Sequence, residues 1–180
     1  PRFGAIYPDK SKIAALLSLD QVAIRPDLPV QVVSCGVPIV IIPISTLTEI
    51  GQAKVRLDLL EAYLKELESK VLYLFTQETA LEASTVHSRF FAPTFGITED
   101  PATGGASGPL GAYLVKYGLA PGPHMVNEQG IEMGRPSLLS IDIETSEGII
   151  TGVKVGGKSV AMGKGSLYLK VNALATTEAI

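Results

Sequence analysis

The stretch that most constrains the fold is PLGAYLVKY, residues 109–117. Apolar side chains surround the axis of the helix predicted here, and Lys116 carries its only charge. A surface helix is apolar on one face, whereas a helix that is apolar on every side is buried. Gly118 follows at a position typical of a left-handed closing residue. The rest of the chain must therefore fold around this helix.

Predicted strands lie on both sides of this helix in the sequence. Before it, β-branched and aromatic residues predict strands at 30–36, 38–44, 71–77 and 85–93. After it, alternating segments separated by Ser-Glu-Gly, Gly-Gly and Gly-Lys-Gly predict an antiparallel meander. Helices and strands do not alternate regularly, which argues against a doubly wound parallel sheet. We predict one α+β domain over residues 1–180, with an antiparallel, barrel-like sheet around the central helix.

Other segments are predicted to lie outside the sheet. Residues 56–70 carry leucines at spacings of three and four, which predicts one outer amphipathic helix. A short helix is predicted over residues 8–20, and residues 46–55 are interpreted as a turn or a short helix. The ending NALATTEAI, residues 172–180, is predicted to fray.

Composition limits the possible partners. Charged residues make up 18% of the chain, the net charge is −3, and the mean hydropathy of +0.30 is high. Without a basic stripe, neither nucleic acid nor an anionic membrane is expected to bind. The apolar run at 37–44 is too short to span a bilayer. The surplus apolar surface predicts a large core or an interface, and the single cysteine, Cys35, fits a cytoplasmic setting.

The loop TEDPATGGASGPLG, residues 98–111, carries the candidate chemistry. A helix start has unpaired N–H groups and a partial positive charge, and glycines let a ligand approach those groups closely. We predict that Thr103, Gly104, Gly105 and Ala106 bind a substrate carboxylate. Asp100 would hold an amine or hydroxyl group, or help to move a proton. An ordinary glycine-rich turn is the competing interpretation.

Several other residues could take part in catalysis or metal binding. We expect Cys35 to be a buried structural thiol rather than one of the paired thiols of a racemase. His87 and His124 have no metal-ligand spacing, so no metal site is predicted. Arg89 could pair with Asp100 or with a ligand carboxylate, although a surface or structural salt bridge is favoured. An N-terminal proline base at Pro1, as in tautomerases, has no other support in the chain.

EDPATGGASGPLGAYL, residues 99–114, resembles the E-D-P-A-T-G-S-A hallmark of the PhzF-like (phenazine biosynthesis) isomerase family. Three further regions resemble the family in order, and together the motifs cover roughly residues 1–168. They are VQVVSCGVPIVIIPI, SRFFAPTFGITED, and EQGIEMGRPSLLSI with VKVGGKSVAMGKG.

The resemblance implies a diaminopimelate-epimerase-like fold, in which two similar domains face each other across a cleft. It implies a homodimer that needs no metal or organic cofactor and isomerises a small carboxylate-bearing molecule by shuttling a proton. Asp100 matches the hallmark aspartate of the cleft. Gly104 and Gly105 match the Gly-Ser pair that binds the carboxylate, with Gly105 in place of the serine.

One departure from the family pattern concerns the general base. The resemblance assigns this role to a glutamate in an N-x-S-E-T-type stretch of the first domain, and no such stretch occurs in these 180 residues. Glu49, in STLTEIG, is a lookalike in the wrong segment. The resemblance therefore covers the second domain, whose junction face is expected to associate with another domain or chain. The rival hypothesis is a non-catalytic remnant or interaction module with the same fold.

Overall fold

The computed structural model describes residues 1–65, 68–120 and 122–168. These residues form a nine-stranded sheet and four α-helices. The strands are β1 (Arg2–Tyr7), β2 (Val30–Ser34), β3 (Pro38–Pro43), β4 (Leu72–Thr76), β5 (Val86–Ala92), β6 (Ile97–Asp100), β7 (His124–Gln129), β8 (Ser137–Ser146) and β9 (Ile149–Gly157). The helices are α1 (Lys10–Leu16), α2 (Leu47–Gln52), α3 (Leu57–Leu64) and α4 (Gly104–Lys116).

The sheet wraps around α4. Its strand order is β1-β2-β3-β4-β5-β7-β8-β9, with β6 paired to β5 beside this path. Strands near both ends of this order, β2 and β3 at one and β8 and β9 at the other, contact α4. The predicted α+β class with a buried central helix is therefore confirmed.

Two strand pairings are parallel, where the sequence predicted antiparallel neighbours throughout. These pairings are β3 with β4 and β5 with β7. Parallel neighbours require a crossover connection. The first crossover contains α2 and α3, and the second contains β6 and α4. The second places the end of β6 beside the start of α4.

The sheet has an apolar core on each face. On the inner face, side chains such as Val33, Ile41 and Phe75 pack with α4. On the outer face, their neighbours Val32, Val40, Ile42 and Leu74 pack against α1, α2 and α3. Three helices thus cover this face, rather than the one outer helix predicted. The reason is that the central strands are apolar on both faces, so both need cover.

Helix α4 begins at Gly104, five residues before the predicted start at Pro109. Residues 106–114 are buried, and two glycines give β8 and β9 close access to the helix. A Cβ atom on Gly111 would lie 2.5 Å from Ile141 Cγ2, and one on Gly108 would lie 3.2 Å from Val153 Cγ1. Tertiary packing therefore outweighs the helix-breaking tendency of Pro109.

Some predicted boundaries differ from the structure or fall outside the described residues. Helix α3 ends at Leu64, and Leu67 of the predicted leucine stripe lies outside the described residues, as does the tail at 172–180. Residues 158–168 form no strand, although the Gly-Lys-Gly sequence predicted a turn between two. Within the described part of the chain, no helix is both long and apolar enough to cross a bilayer.

Candidate active site at the start of helix α4

Asp100 ends strand β6, three residues before the N-cap of α4, and is half-buried. Its pairing with Phe90 of β5 fixes its backbone. The hydroxyl of Thr103 donates a hydrogen bond of 2.5 Å to Asp100 Oδ2. Asp100 Oδ1 has no hydrogen-bond partner among the described residues. The two predicted site residues therefore touch each other, and one carboxylate oxygen stays available.

The first turn of α4 offers two unused N–H groups. The amides of Ala106 and Ser107 both donate to the carbonyl of Thr103 at 3.1 Å. The amides of Gly104 and Gly105 donate to no group in the described residues, as expected for the first positions of a helix. Two of the four predicted carboxylate contacts are therefore already occupied. Ala106 is fully buried and its amide is used, and the amide of Thr103 donates to Gln129 Oε1 at 3.2 Å.

An open cavity of about 890 Å³ adjoins this helix start. Gly104 is the predicted site residue that lines it, with Leu138, Val155 and Lys158 among the other lining residues. Asp100 lies beside this cavity rather than in its lining. Its size falls within the range of small-molecule sites. A second open cavity, of about 510 Å³, lies between β1 and α3 and contains none of the predicted site residues.

A buried polar network, which the sequence did not predict, lies beneath the Asp100 loop. We call it the inner network; it consists of Tyr73, Ser88, Ser107, Asn127 and Gln129. All five side chains are fully buried. The Tyr73 hydroxyl is its hub, since it accepts from Ser88 at 3.0 Å and from Asn127 at 2.7 Å and donates to Gln129 at 2.8 Å.

The sequence signal for this network was present in two strands. In the parallel pairing of β5 with β7, Ser88 lies opposite Gln129. Polar residues at alternate positions of buried strands share one face of the sheet. Asn127 and Gln129 have that spacing in the NEQ sequence, and both face α4. Burial raises the pKa of the Tyr73 hydroxyl above its ordinary value, so the network holds no charge at neutral pH.

The turn that follows β7 packs against the Asp100 loop from behind. Gly130 has a φ of +80°, which favours glycine. A Cβ atom at this position would lie 2.7 Å from the carbonyl oxygen of Pro101 and 2.5 Å from that of Arg135. Only glycine allows this approach, so Gly130 helps to define where Asp100 and Pro101 lie.

On the opposite face of the same strands lies a charged group that we call the outer cluster. It consists of His87, Arg89, Glu99, Glu128 and Glu132. The imidazole of His87 is buried and lies 2.8 Å from both Glu128 and Glu132. Burial alone would lower the pKa of His87, but its hydrogen bonds to the two carboxylates outweigh this and raise it above 6.5.

Arg89 has a structural role in the outer cluster. Its guanidinium pairs with both oxygens of Glu99, at 2.8 and 2.9 Å, and not with Asp100. It also donates to the carbonyls of Ile50 and Ala53 at the end of α2, at 2.9 and 3.0 Å. The favoured interpretation as a structural salt bridge agrees with these contacts.

Three further residues can now be placed. Cys35 is exposed, so the prediction of a buried structural thiol is wrong; it lies in the turn between β2 and β3. Glu49 sits in the first turn of α2 and accepts from the N-cap hydroxyl of Thr46 at 2.9 Å, a helix-capping role. Among the described residues, no group of three or more metal-ligating side chains could hold a metal ion.

Comparison with known proteins places the chain in a family. The sequence profile of the phenazine biosynthesis-like protein family matches residues 1–165. An uncharacterized isomerase of Clostridium acetobutylicum is 30% identical over 173 residues, covering 93% of this chain and 57% of that protein. The trans-2,3-dihydro-3-hydroxyanthranilate isomerase of Pseudomonas chlororaphis is 41% identical over 83 residues, covering 46% of this chain and 30% of that enzyme.

The fold comparison agrees. The crystal structure of a PhzF-family phenazine biosynthesis protein from Bacillus anthracis superposes with a TM-score of 0.74 at 23% identity, covering 86% of this chain and 57% of that one. The chain therefore belongs to the phenazine biosynthesis-like (PhzF-like) isomerase family. It spans 57% of the length of the Clostridium relative.

Proposed function

We propose that this chain supplies the carboxylate-binding side of an isomerase site, which transfers a proton on a small carboxylate-bearing substrate without a cofactor. The observation that carries the proposal is the pair of unused amides at Gly104 and Gly105, located at a helix start one turn from the Asp100 carboxylate. Helix N-termini bind anions favourably because their free N–H groups and the positive end of the helix dipole both face the ligand.

The proposal assigns separate roles to the two ends of the substrate. The amides of Gly104 and Gly105 hold the carboxylate, and Lys158 adds positive charge on the cavity wall. Asp100 Oδ1 accepts from an amine or hydroxyl group on the substrate and assists the proton transfer. The general base, a glutamate by family resemblance, comes from outside these 180 residues.

A binding experiment tests the anion site with 3-hydroxyanthranilate, a stable aromatic compound that carries a carboxylate, an amine and a hydroxyl. We expect it to shift the backbone amide NMR signals of Gly104 and Gly105. Gly104→Pro should weaken binding about tenfold, since it removes one N–H group at a helix position where proline is well tolerated.

Gly104→Ala is the matched control for that variant. It keeps the amide, and its new Cβ atom would make an ordinary contact with Val155, at 3.8 Å. We expect it to bind 3-hydroxyanthranilate as the unmodified chain does. Equal binding by the proline and alanine variants would remove the Gly104 amide from the site. Gly105→Ser, which restores the family hydroxyl and meets nothing within 4 Å of its Cβ atom, should tighten binding.

An activity experiment tests the reaction with trans-2,3-dihydro-3-hydroxyanthranilate, the compound in the name of the Pseudomonas chlororaphis relative. If the protein isomerises it, Asp100→Asn should lower the rate at least a hundredfold with little loss of stability. Asp142→Asn, at an exposed position on β8, is the control. Full activity in Asp100→Asn would exclude Asp100 from the mechanism.

The alternative function, an interaction module without catalysis, is favoured by one feature. Residues 158–168 form no strand or helix, and their apolar side chains Val160, Met162, Leu167 and Tyr168 are between 81% and 92% exposed. Exposed apolar surface of this kind favours association, including the predicted homodimer. Sedimentation velocity tests this: a monomer at all concentrations would contradict it, and a dimer with no isomerase activity would favour the module.

A further inference from the structure

We infer that Gln129 is a positioning residue, which sets the direction of every hydrogen bond leading to Asp100 and thereby leaves Oδ1 as the oxygen that meets the substrate. This inference rests on the proposed function for the role of the site. Every contact on which it depends joins two residues that the structure describes. Gln129 is fully buried, and its side-chain amide contacts four groups.

Two backbone contacts determine which way the Gln129 amide points. The N–H group of Thr103 can only donate, and it lies 3.2 Å from the oxygen Oε1. The carbonyl of Asp100 can only accept, and it lies 2.6 Å from the nitrogen Nε2. A flipped amide would place two donors together and two acceptors together. The orientation is therefore fixed by groups whose roles are unambiguous.

This orientation determines which acceptor receives the proton of the Thr103 hydroxyl. The second hydrogen on Gln129 Nε2 is donated to Thr103 Oγ1 at 2.9 Å. The hydroxyl has a single proton of its own. That proton is donated to Asp100 Oδ2 at 2.5 Å. Asp100 is thus held as an acceptor at Oδ2, and its other oxygen remains free to accept from a ligand.

The inner network fixes the other side of the amide. The Tyr73 oxygen already accepts from Ser88 and Asn127, so its proton is directed to Gln129 Oε1 at 2.8 Å. These groups are fully buried, and the three bonds use the whole hydrogen-bonding capacity of the Tyr73 hydroxyl, while Asn127 Oδ1 has no partner among the described residues. The chain of donation runs in one direction, from Tyr73 through Gln129 and Thr103 to Asp100.

Two probes, three single variants and one double variant test this role. Benzoate needs only the helix amides, whereas 3-hydroxyanthranilate also needs Asp100 Oδ1. We expect Gln129→Met and Thr103→Val to weaken 3-hydroxyanthranilate binding about tenfold while leaving benzoate binding within about twofold. Thr103→Ser keeps the hydroxyl and should restore binding. The double variant Gln129→Met with Thr103→Val should bind 3-hydroxyanthranilate no more weakly than either single variant, because both changes break the same series of hydrogen bonds.

Gln31→Met is a matched control for the glutamine change. Gln31 is also buried and bonds to a backbone carbonyl, of Gly4 at 2.9 Å, and to a tyrosine hydroxyl, of Tyr117 at 2.7 Å. Gln31→Met should lower the free energy of unfolding about as much as Gln129→Met does, without changing the binding of either probe. Folding of each variant is checked by circular dichroism and a cooperative melt.

The outcomes separate the inference from the proposed function. If the folded Gln129→Met and Thr103→Val variants bind both probes as before, or lose both equally, Gln129 has no positioning role. If the unmodified protein binds neither probe, the proposed function fails. Crystal structures then decide the inference: one Asp100 conformer in the unmodified protein and several in Gln129→Met support it, and an unchanged Asp100 overturns it.

Discussion

Strands β5 and β7 carry two polar groups back to back, the inner network and the outer cluster. Neighbouring residues belong to opposite groups: His87 and Arg89 point outward, and Ser88 points toward α4. Glu128 likewise points outward between Asn127 and Gln129. This follows from the alternation of side chains along a strand. The parallel register then sets His87 beside Glu128 and Ser88 beside Gln129.

The two groups differ in charge and in what they hold. The outer cluster is ionic and ties together distant parts of the chain, because Arg89 reaches the end of α2 and Glu128 accepts from the amides of Ala80 and Leu81. The inner network consists of neutral groups and leads to Asp100. The charged group therefore stabilises the fold, whereas the neutral one borders the candidate site.

The largest expected effect comes from breaking the ion pair of the outer cluster. Arg89→Met leaves Glu99 without its partner and removes the donor to the α2 carbonyls. Loss of one partner of a buried pair costs about 3–5 kcal/mol of unfolding free energy. Urea unfolding measures this. Arg56→Met, at an exposed pair with Asp58, is the control and should change stability little.

If Arg89→Met lowers the free energy of unfolding no more than Arg56→Met does, the structural role of the outer cluster is contradicted.

The second expected effect is a pH dependence of the unfolding free energy, which we assign to the outer cluster and not to the inner network. Hydrogen bonds to Glu132 and Glu128 overcome burial and raise the pKa of folded His87, so its stabilising contribution is complete below pH 6.5 and is lost as the pH rises through the raised folded value. Hydrogen bonding to His87 helps to lower the pKa of both carboxylates despite their burial, so their contribution is present above pH 4.5 and is lost as the pH falls through the lowered folded values.

His87→Gln should therefore cost on the order of 3 kcal/mol near pH 6 and less near pH 9. Urea unfolding at a series of pH values measures the difference. His124→Gln is the matched control, since this histidine is exposed and, among the described residues, pairs with Asp142 alone. Parallel stability curves for the original protein and His87→Gln would show that His87 is not the titrating group.

The smallest of the three effects concerns the inner network. Tyr73→Phe removes the hub hydroxyl, and we expect a loss of about 1–3 kcal/mol because buried partners lose a hydrogen bond. The loss should be the same at pH 6 and pH 9, since the groups of this network are neutral in that range. Tyr168→Phe, at an exposed position, is the control. A loss that varies with pH would mean that the two groups are coupled through the sheet.

The central helix was predictable because its apolar surface is continuous in sequence. Its first turn was not included in the predicted span, because Gly104, Gly105 and Gly108 resemble loop residues until β9 packs against the helix. The parallel pairings were missed for a similar reason. Nothing local in β3 or β4 records that α2 and α3 return the chain in the same direction.

The candidate site was predicted in part. The positions of Asp100, Thr103, Gly104 and Gly105 follow from a short motif, and the structure places them together at one helix end. Their supporting residues come from β4, β5 and β7, more than 10 residues away in either direction, so local spacing could not reveal them. The two carboxylates around His87 were missed because they lie 41 and 45 residues further along the chain.

The sequence by itself determined that a helix without a polar face must be buried, that strands surround it, and that a carboxylate precedes bare amides at its start. These properties depend on residues that are close in the chain, where periodicity and helix ends govern the physics. Only the tertiary structure decided which amides remain unused and which polar side chains meet. Those outcomes depend on strand register and on the fixed directions of hydrogen-bond donors and acceptors, which arise when distant segments pack together.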